Sequence, residues 1–109
     1  HFVVLLPRKH HIEYFSSLGQ NYFQELKKLD EPRFIFDKLL GKNYIYNRVP
    51  LQKDTKDTNS CWIWVITRTI FHRLKLREFV KLFQTRLSLS SSDEVVTLMA
   101  LTYLQSRYD

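Results

Sequence analysis

The chain predicts an α+β fold: a small mixed β-sheet packed against a central buried helix that carries the single cysteine, followed by additional C-terminal helices. Three observations predict it. The apolar run at residues 2–6 and the alternating run at 11–16 read as two short strands around a proline-led break. Apolar residues fall at helical spacing from residue 20 onward and dominate after Cys61. A third β-rich segment, residues 43–49, lies beyond the first helices and must rejoin the hairpin through a crossover, which makes the sheet mixed.

Taken in order, Val3, Val4, Leu5 and Leu6 form a buried strand, and Pro7-Arg8-Lys9-His10 is a hairpin turn. The second strand runs antiparallel to the first and ends at Ser17-Leu18-Gly19. Residues 20–29 form a helix on Tyr22, Phe23, Leu26 and Leu29, and Glu31-Pro32 stops it. A short helix follows at 34–40, with Gly41 as its C-terminal cap. Tyr44, Ile45, Tyr46 and Val49 make the third strand. Residues 53–59 have no apolar member and form an exposed loop that delivers Ser60 as the N-cap of a helix over 61–72. Trp62, Ile63, Trp64, Val65 and Ile66 make that helix apolar almost all round, hence central and buried. Helices over 76–85 and 93–107 complete the chain, the last opened by a capping box of Ser91 with Glu94.

Composition bounds the function. The 109 residues suffice for one domain spanning 1–109, and 44% hydrophobic with 15% aromatic residues argues for a folded globule. The only methionine is Met99 and the chain opens on a strand, so it reads as the core fragment of a longer polypeptide. One cysteine cannot form an internal disulfide, which argues against a secreted stapled scaffold. The apolar stretch at 62–66 is far short of a membrane span, and no signal peptide is visible. Seventeen Lys and Arg against eleven Asp and Glu give a charge of +6, which permits a nucleic-acid or acidic partner. The basic residues are scattered, so a solvated basic surface is the simpler account.

Cys61, His1 and Gln52 supply a thiol, an imidazole and an amide donor. A cysteine at the start of a helix feels the positive end of the helix dipole, which favours the thiolate. An adjacent imidazole can take the thiol proton and return it to a leaving amine. Gln52, on the loop entering the helix, can aim its amide at an oxyanion beside the Cys61 backbone N–H. The plainer alternatives stand beside these: a small buried apolar cysteine, the end of a strand, and a loop glutamine.

In this order the residues resemble the adenain-like cysteine peptidases, the superfamily of the adenovirus maturation protease, the poxvirus and African swine fever virus core proteases, and the SUMO proteases. His1-Phe2-Val3-Val4 is similar to the family's His-aromatic-apolar strand, and residues 12–19 to its Ile-x-Tyr-aromatic-Asp-Ser-Leu-Gly segment. Gln52 matches the oxyanion glutamine, Cys61 the nucleophile, and Trp64 the aromatic three residues beyond it. The resemblance implies a papain-like fold of adenain type and a catalytic role for Cys61, His1, Gln52 and Ser16. It implies a thiol protease of virion maturation, cleaving structural polyproteins or capsid precursors in the virion, host cytoplasm or viral factory. No metal or organic cofactor is implied; DNA enters as an activating polyanion. Alternatives are a catalytically silent capsid-associated or binding module, and a protease processing SUMO or other ubiquitin-like proteins. The chain departs from the family pattern at three points. Ser16 stands at the acid position, Trp62 replaces a glycine after the cysteine, and Gln52 precedes Cys61 by nine residues, a longer spacing than usual.

The remaining candidates are weaker. His10 and His11 fall at the hairpin turn without companion ligands, so a metal role is not expected. His72 is placed at the C-terminal end of the central helix, where a cation suits the dipole. Trp62, Trp64, Phe71 and Tyr103 are expected in the core rather than on a base-stacking surface.

Overall fold

The computed structural model describes residues 2–41, 43–52, 58–84 and 92–108. Its strands are β1 (Val4–Pro7), β2 (Ile12–Phe15) and β3 (Tyr44–Tyr46), and its helices are α1 (Tyr22–Leu29), α2 (Phe34–Leu40), α3 (Thr58–Ile70), α4 (Leu76–Gln84) and α5 (Ser92–Tyr108). The sheet order is β1-β2-β3, with β1 antiparallel and β3 parallel to β2. The architecture is thus a small α+β fold built on a mixed sheet. Among the described residues no helix is long and apolar enough to cross a membrane.

Pro7 ends β1, and the Arg8 amide donates to the His11 carbonyl at 2.8 Å to close the hairpin turn. Strand alternation then splits β2 between two cores. Tyr14 faces α1 and α2, clustering with Tyr22 and Leu40. Phe15 faces the other way, toward Trp64, Phe79, Phe83 and Val96 of the C-terminal helices. The sheet is therefore the middle layer of three, each face covered by helices. Trp64 and Phe79 are fully buried, and each such side chain stabilises by roughly 2–3 kcal/mol.

Local chemistry sets the helix ends. At α1, Asn21 and Gln24 form a reciprocal capping box, Asn21 Oδ1 accepting from Gln24 N at 3.0 Å and Gln24 Oε1 from Asn21 N at 3.1 Å. Asp30 takes the left-handed conformation at its C-terminus, before Pro32 can matter. Gly41 caps α2 as expected, its N–H donating to the Asp37 carbonyl.

Several expectations are corrected. Helix α3 begins at Thr58, so Ser60 lies inside its first turn rather than capping it, and residues 58 and 59 are helical rather than loop. It ends at Ile70, leaving His72 in the exposed turn beyond. Trp62 is 51% exposed and Tyr103 38%, so neither is core. The strands are shorter than expected at 2–6, 11–16 and 43–49 because pairing stops at Val4↔Phe15 and Tyr14↔Tyr46. The remaining loop, residues 53–57, and the capping Ser91 lie outside the described residues.

Candidate active site

Cys61 is the fourth residue of α3, within its first helical turn. It heads a stripe at helical spacing, Cys61, Trp64 and Arg68, in which every member is at most 2% exposed. Trp64 holds that stripe against the core through edge-on contacts with Phe79 and Phe83. The Cys61 thiol consequently meets the incoming strand. Its Sγ accepts from the Phe2 amide at 3.0 Å and donates to the Phe2 carbonyl at 3.1 Å. No acidic residue occupies the first turn of α3 to offset the positive helix end.

The second group forms where β2 ends. Ser16 is fully buried, and Asn47 clasps its backbone on both sides. Asn47 Oδ1 accepts from Ser16 N at 3.1 Å, and Asn47 Nδ2 donates to the Ser16 carbonyl at 2.6 Å and the Val49 carbonyl at 3.0 Å. Ser16 Oγ accepts from Leu18 N at 3.3 Å. The next carbonyl, of Ser17, accepts from Leu51 N at 2.8 Å and Gln52 N at 3.0 Å. Gly19 completes the seam at φ +72°, so close to Val49 that a Cβ would lie 2.4 Å from its carbonyl carbon. Only glycine meets both demands.

These contacts aim Gln52. Its side chain is buried, and its Oε1 accepts from Ser17 Oγ at 2.6 Å. With the carbonyl end held at Ser17, the N–H₂ end of the amide points away from it. Phe2 and Ser17 each lie two residues beyond the last pair of the hairpin, Val4↔Phe15. Cys61, bonded to Phe2, and Gln52, bonded to Ser17, therefore belong to the same end of the sheet. Ser16 joins them there. His1, the expected base, lies outside the described residues.

Sequence reasoning missed Ser17, Asn47 and Gly19 as supports. The available signal is the run Ser17-Leu18-Gly19 directly after Ser16, a serine and a glycine at the end of β2. It also missed the buried pair of Glu13 with Arg68, whose sequence sign was a charge at an inward position of each element. Among the described residues no group of three or more His, Cys, Asp or Glu side chains is placed to hold a metal ion. His10 and His72 are exposed and His11 is half-buried. Comparison with protein-family models, with curated proteins and with solved structures finds no match for this chain.

Proposed function

We propose that the protein is a cysteine endopeptidase of the adenain-like kind, with Cys61 as nucleophile, His1 as general base and acid, Gln52 as oxyanion donor and Ser16 as an uncharged orienting group. The observation that carries this reading is the bonding of the Cys61 thiol to the Phe2 backbone, since Phe2 is covalently joined to the candidate base. The Ser17–Gln52 contact adds a second support, because an oxyanion donor must be fixed before the charge develops. In the reaction, Sγ attacks the scissile carbonyl carbon while the imidazole takes the thiol proton. The C–N bond then breaks, the amine leaves with that proton, and water hydrolyses the thioester. Substrate engagement requires the Phe2 backbone to yield the thiol, which is 2% exposed in its present contacts. The papain-like adenain type, the preference for viral structural precursors as substrates, and DNA as an activating polyanion rest on the resemblance alone.

A second reading is favoured by that same burial. A thiol satisfied on both sides by Phe2, with a serine where the family carries its acid, suits a catalytically silent binding module. Cleavage of candidate precursor proteins separates the two. The peptidase reading expects Cys61→Ala to abolish cleavage and His1→Ala to reduce it by roughly 10³-fold or more. Undiminished cleavage by Cys61→Ala removes Cys61 from the mechanism. Iodoacetamide labelling of Cys61 no faster than a free thiol at neutral pH favours the silent module.

A further inference from the structure

At the opposite end of the sheet, about 20 Å along the strand direction from Phe2, the hairpin turn faces the connection between α3 and α4 across a cavity of about 450 Å³. We propose that this cavity binds a compact, multiply charged phosphate compound. Five cationic side chains line it: Arg8 and Lys9 from the turn, and Arg73, Lys75 and Arg77 from the connection and the start of α4. Ile45, Leu74 and Leu76 supply an apolar wall. Glu13 is the only carboxylate in the lining, and it is already engaged by Arg68 at 2.8 Å and by Arg8 at 3.3 Å. Among the described residues no carboxylate forms an ion pair with Lys9, Arg73, Lys75 or Arg77.

Such an arrangement calls for an anion. The cavity is of the order of one Debye length across, about 8 Å at physiological salt, so its cations repel one another with little screening. A bound polyanion converts that repulsion into attraction, and the arginine forks match phosphate oxygens in pairs. The amide at the α4 start is not available for this, because Lys75 N donates to Glu78 Oε1 at 2.8 Å. Recognition therefore falls to the side chains. A triphosphate concentrates several charges within the recess, whereas an acidic peptide spreads one charge per residue over about 3.3 Å each. A nucleic-acid duplex cannot enter a recess of this size and leaves most of these cations unmet. The site is independent of Cys61 and stands whether or not the peptidase reading does.

Calorimetric titration of the full chain with sodium tripolyphosphate at physiological salt tests it. One saturable site is expected, with a dissociation constant on the order of 10 µM. Arg73→Gln with Arg77→Gln, both exposed side chains whose loss leaves the circular dichroism unchanged, weakens binding at least roughly 10-fold. Lys27→Gln with Lys28→Gln removes the same charge from α1 and leaves binding within about 2-fold. ATP distinguishes a nucleotide from a free polyphosphate as source, since the apolar wall then adds affinity. Absence of saturable binding, or equal weakening by the two double variants, overturns the proposal. A DNA duplex or hexa-aspartate that binds more tightly than tripolyphosphate and is not displaced by it also overturns it.

Discussion

Arg68 and Glu13 meet through two parallel hydrogen bonds, Nε to Oε2 at 2.8 Å and Nη2 to Oε1 at 2.9 Å, with both side chains at most 1% exposed. Arg68 also donates from Nη1 to the Phe71 carbonyl at 2.9 Å and from Nη2 to the Leu74 carbonyl at 2.8 Å, and its guanidinium lies over the Phe79 ring. One side chain thus joins β2, α3, the turn after α3, and α4. Its charge is tolerable inside the core because a carboxylate and two backbone carbonyls take four of its five N–H donors.

Removing one member of that pair exposes the cost of the other. Arg68→Met leaves Glu13 buried with only Arg8, and the expected loss is about 3–5 kcal/mol in urea denaturation. Glu13→Leu combined with Arg68→Met recovers most of it, because the uncompensated charge is gone. Equal destabilisation by the single and double variants contradicts this account.

Gly19→Ala strains the seam between residues 16–19 and 47–52. A left-handed conformation costs an alanine about 1–2 kcal/mol, before its Cβ meets the Val49 backbone. A fall in stability of more than about 2 kcal/mol is expected. An unchanged denaturation midpoint counts against the close approach.

The tyrosines of the α1 side set an alkaline limit. Burial first, and the 2.6 Å hydrogen bond to Asp37 second, push the Tyr22 phenol up to about 12. Burial and the Glu25 carboxylate push Tyr14 up as well. An unfolded tyrosine ionises near 10, so above that pH the unfolded chain releases protons that the native one keeps. Stability is therefore complete below pH 10 and falls above it, by up to about 1.4 kcal/mol per pH unit for each tyrosine. Urea denaturation from about pH 9 to about pH 12 measures the slope, and Tyr22→Phe flattens it. A slope indifferent to that substitution removes Tyr22 from the effect.

If Gln52 serves an oxyanion, Ser17→Ala loosens it without removing it. The expected fall in kcat is on the order of 10-fold with KM little changed, against about 10²–10³ for Gln52→Ala. Ser17→Thr, which keeps the hydroxyl, restores part of the rate. Loss of KM alone assigns Ser17 to substrate binding instead.

How much of this was legible in the sequence varies by element. Pro7, the alternation around Tyr14, and Gly41 announced the hairpin, β2 and the end of α2, since each acts within a few residues. The start of α3 did not announce itself. Ser60 has cap chemistry directly before an apolar run, yet the helix takes in Thr58-Asn59-Ser60 as its first turn. Within α3 hydrophobicity misorders the faces: Trp62 is exposed while Arg68 is fully buried. The partner that makes Arg68 a core residue stands 55 residues away in the chain. The same holds at the candidate site. Cys61, Gln52 and Ser16 were identifiable by type and order, but Ser17 acts on Gln52 across 35 residues.

The two-faced strand β2 also governs the order of assembly. Its Tyr14 face is covered by elements that follow within the first half of the chain, so that half can condense early from contacts of modest separation. Its Glu13 and Phe15 face waits for α3, α4 and α5, and closing that distance costs loop entropy before any contact repays it. During synthesis a nascent chain that has emerged only as far as β3 presents an apolar face carrying a carboxylate that only Arg8 of the same hairpin can meet. Docking of α3, α4 and α5 brings Arg68 to that carboxylate and covers the face, so the step that completes this core also ends the chain's exposure to aggregation.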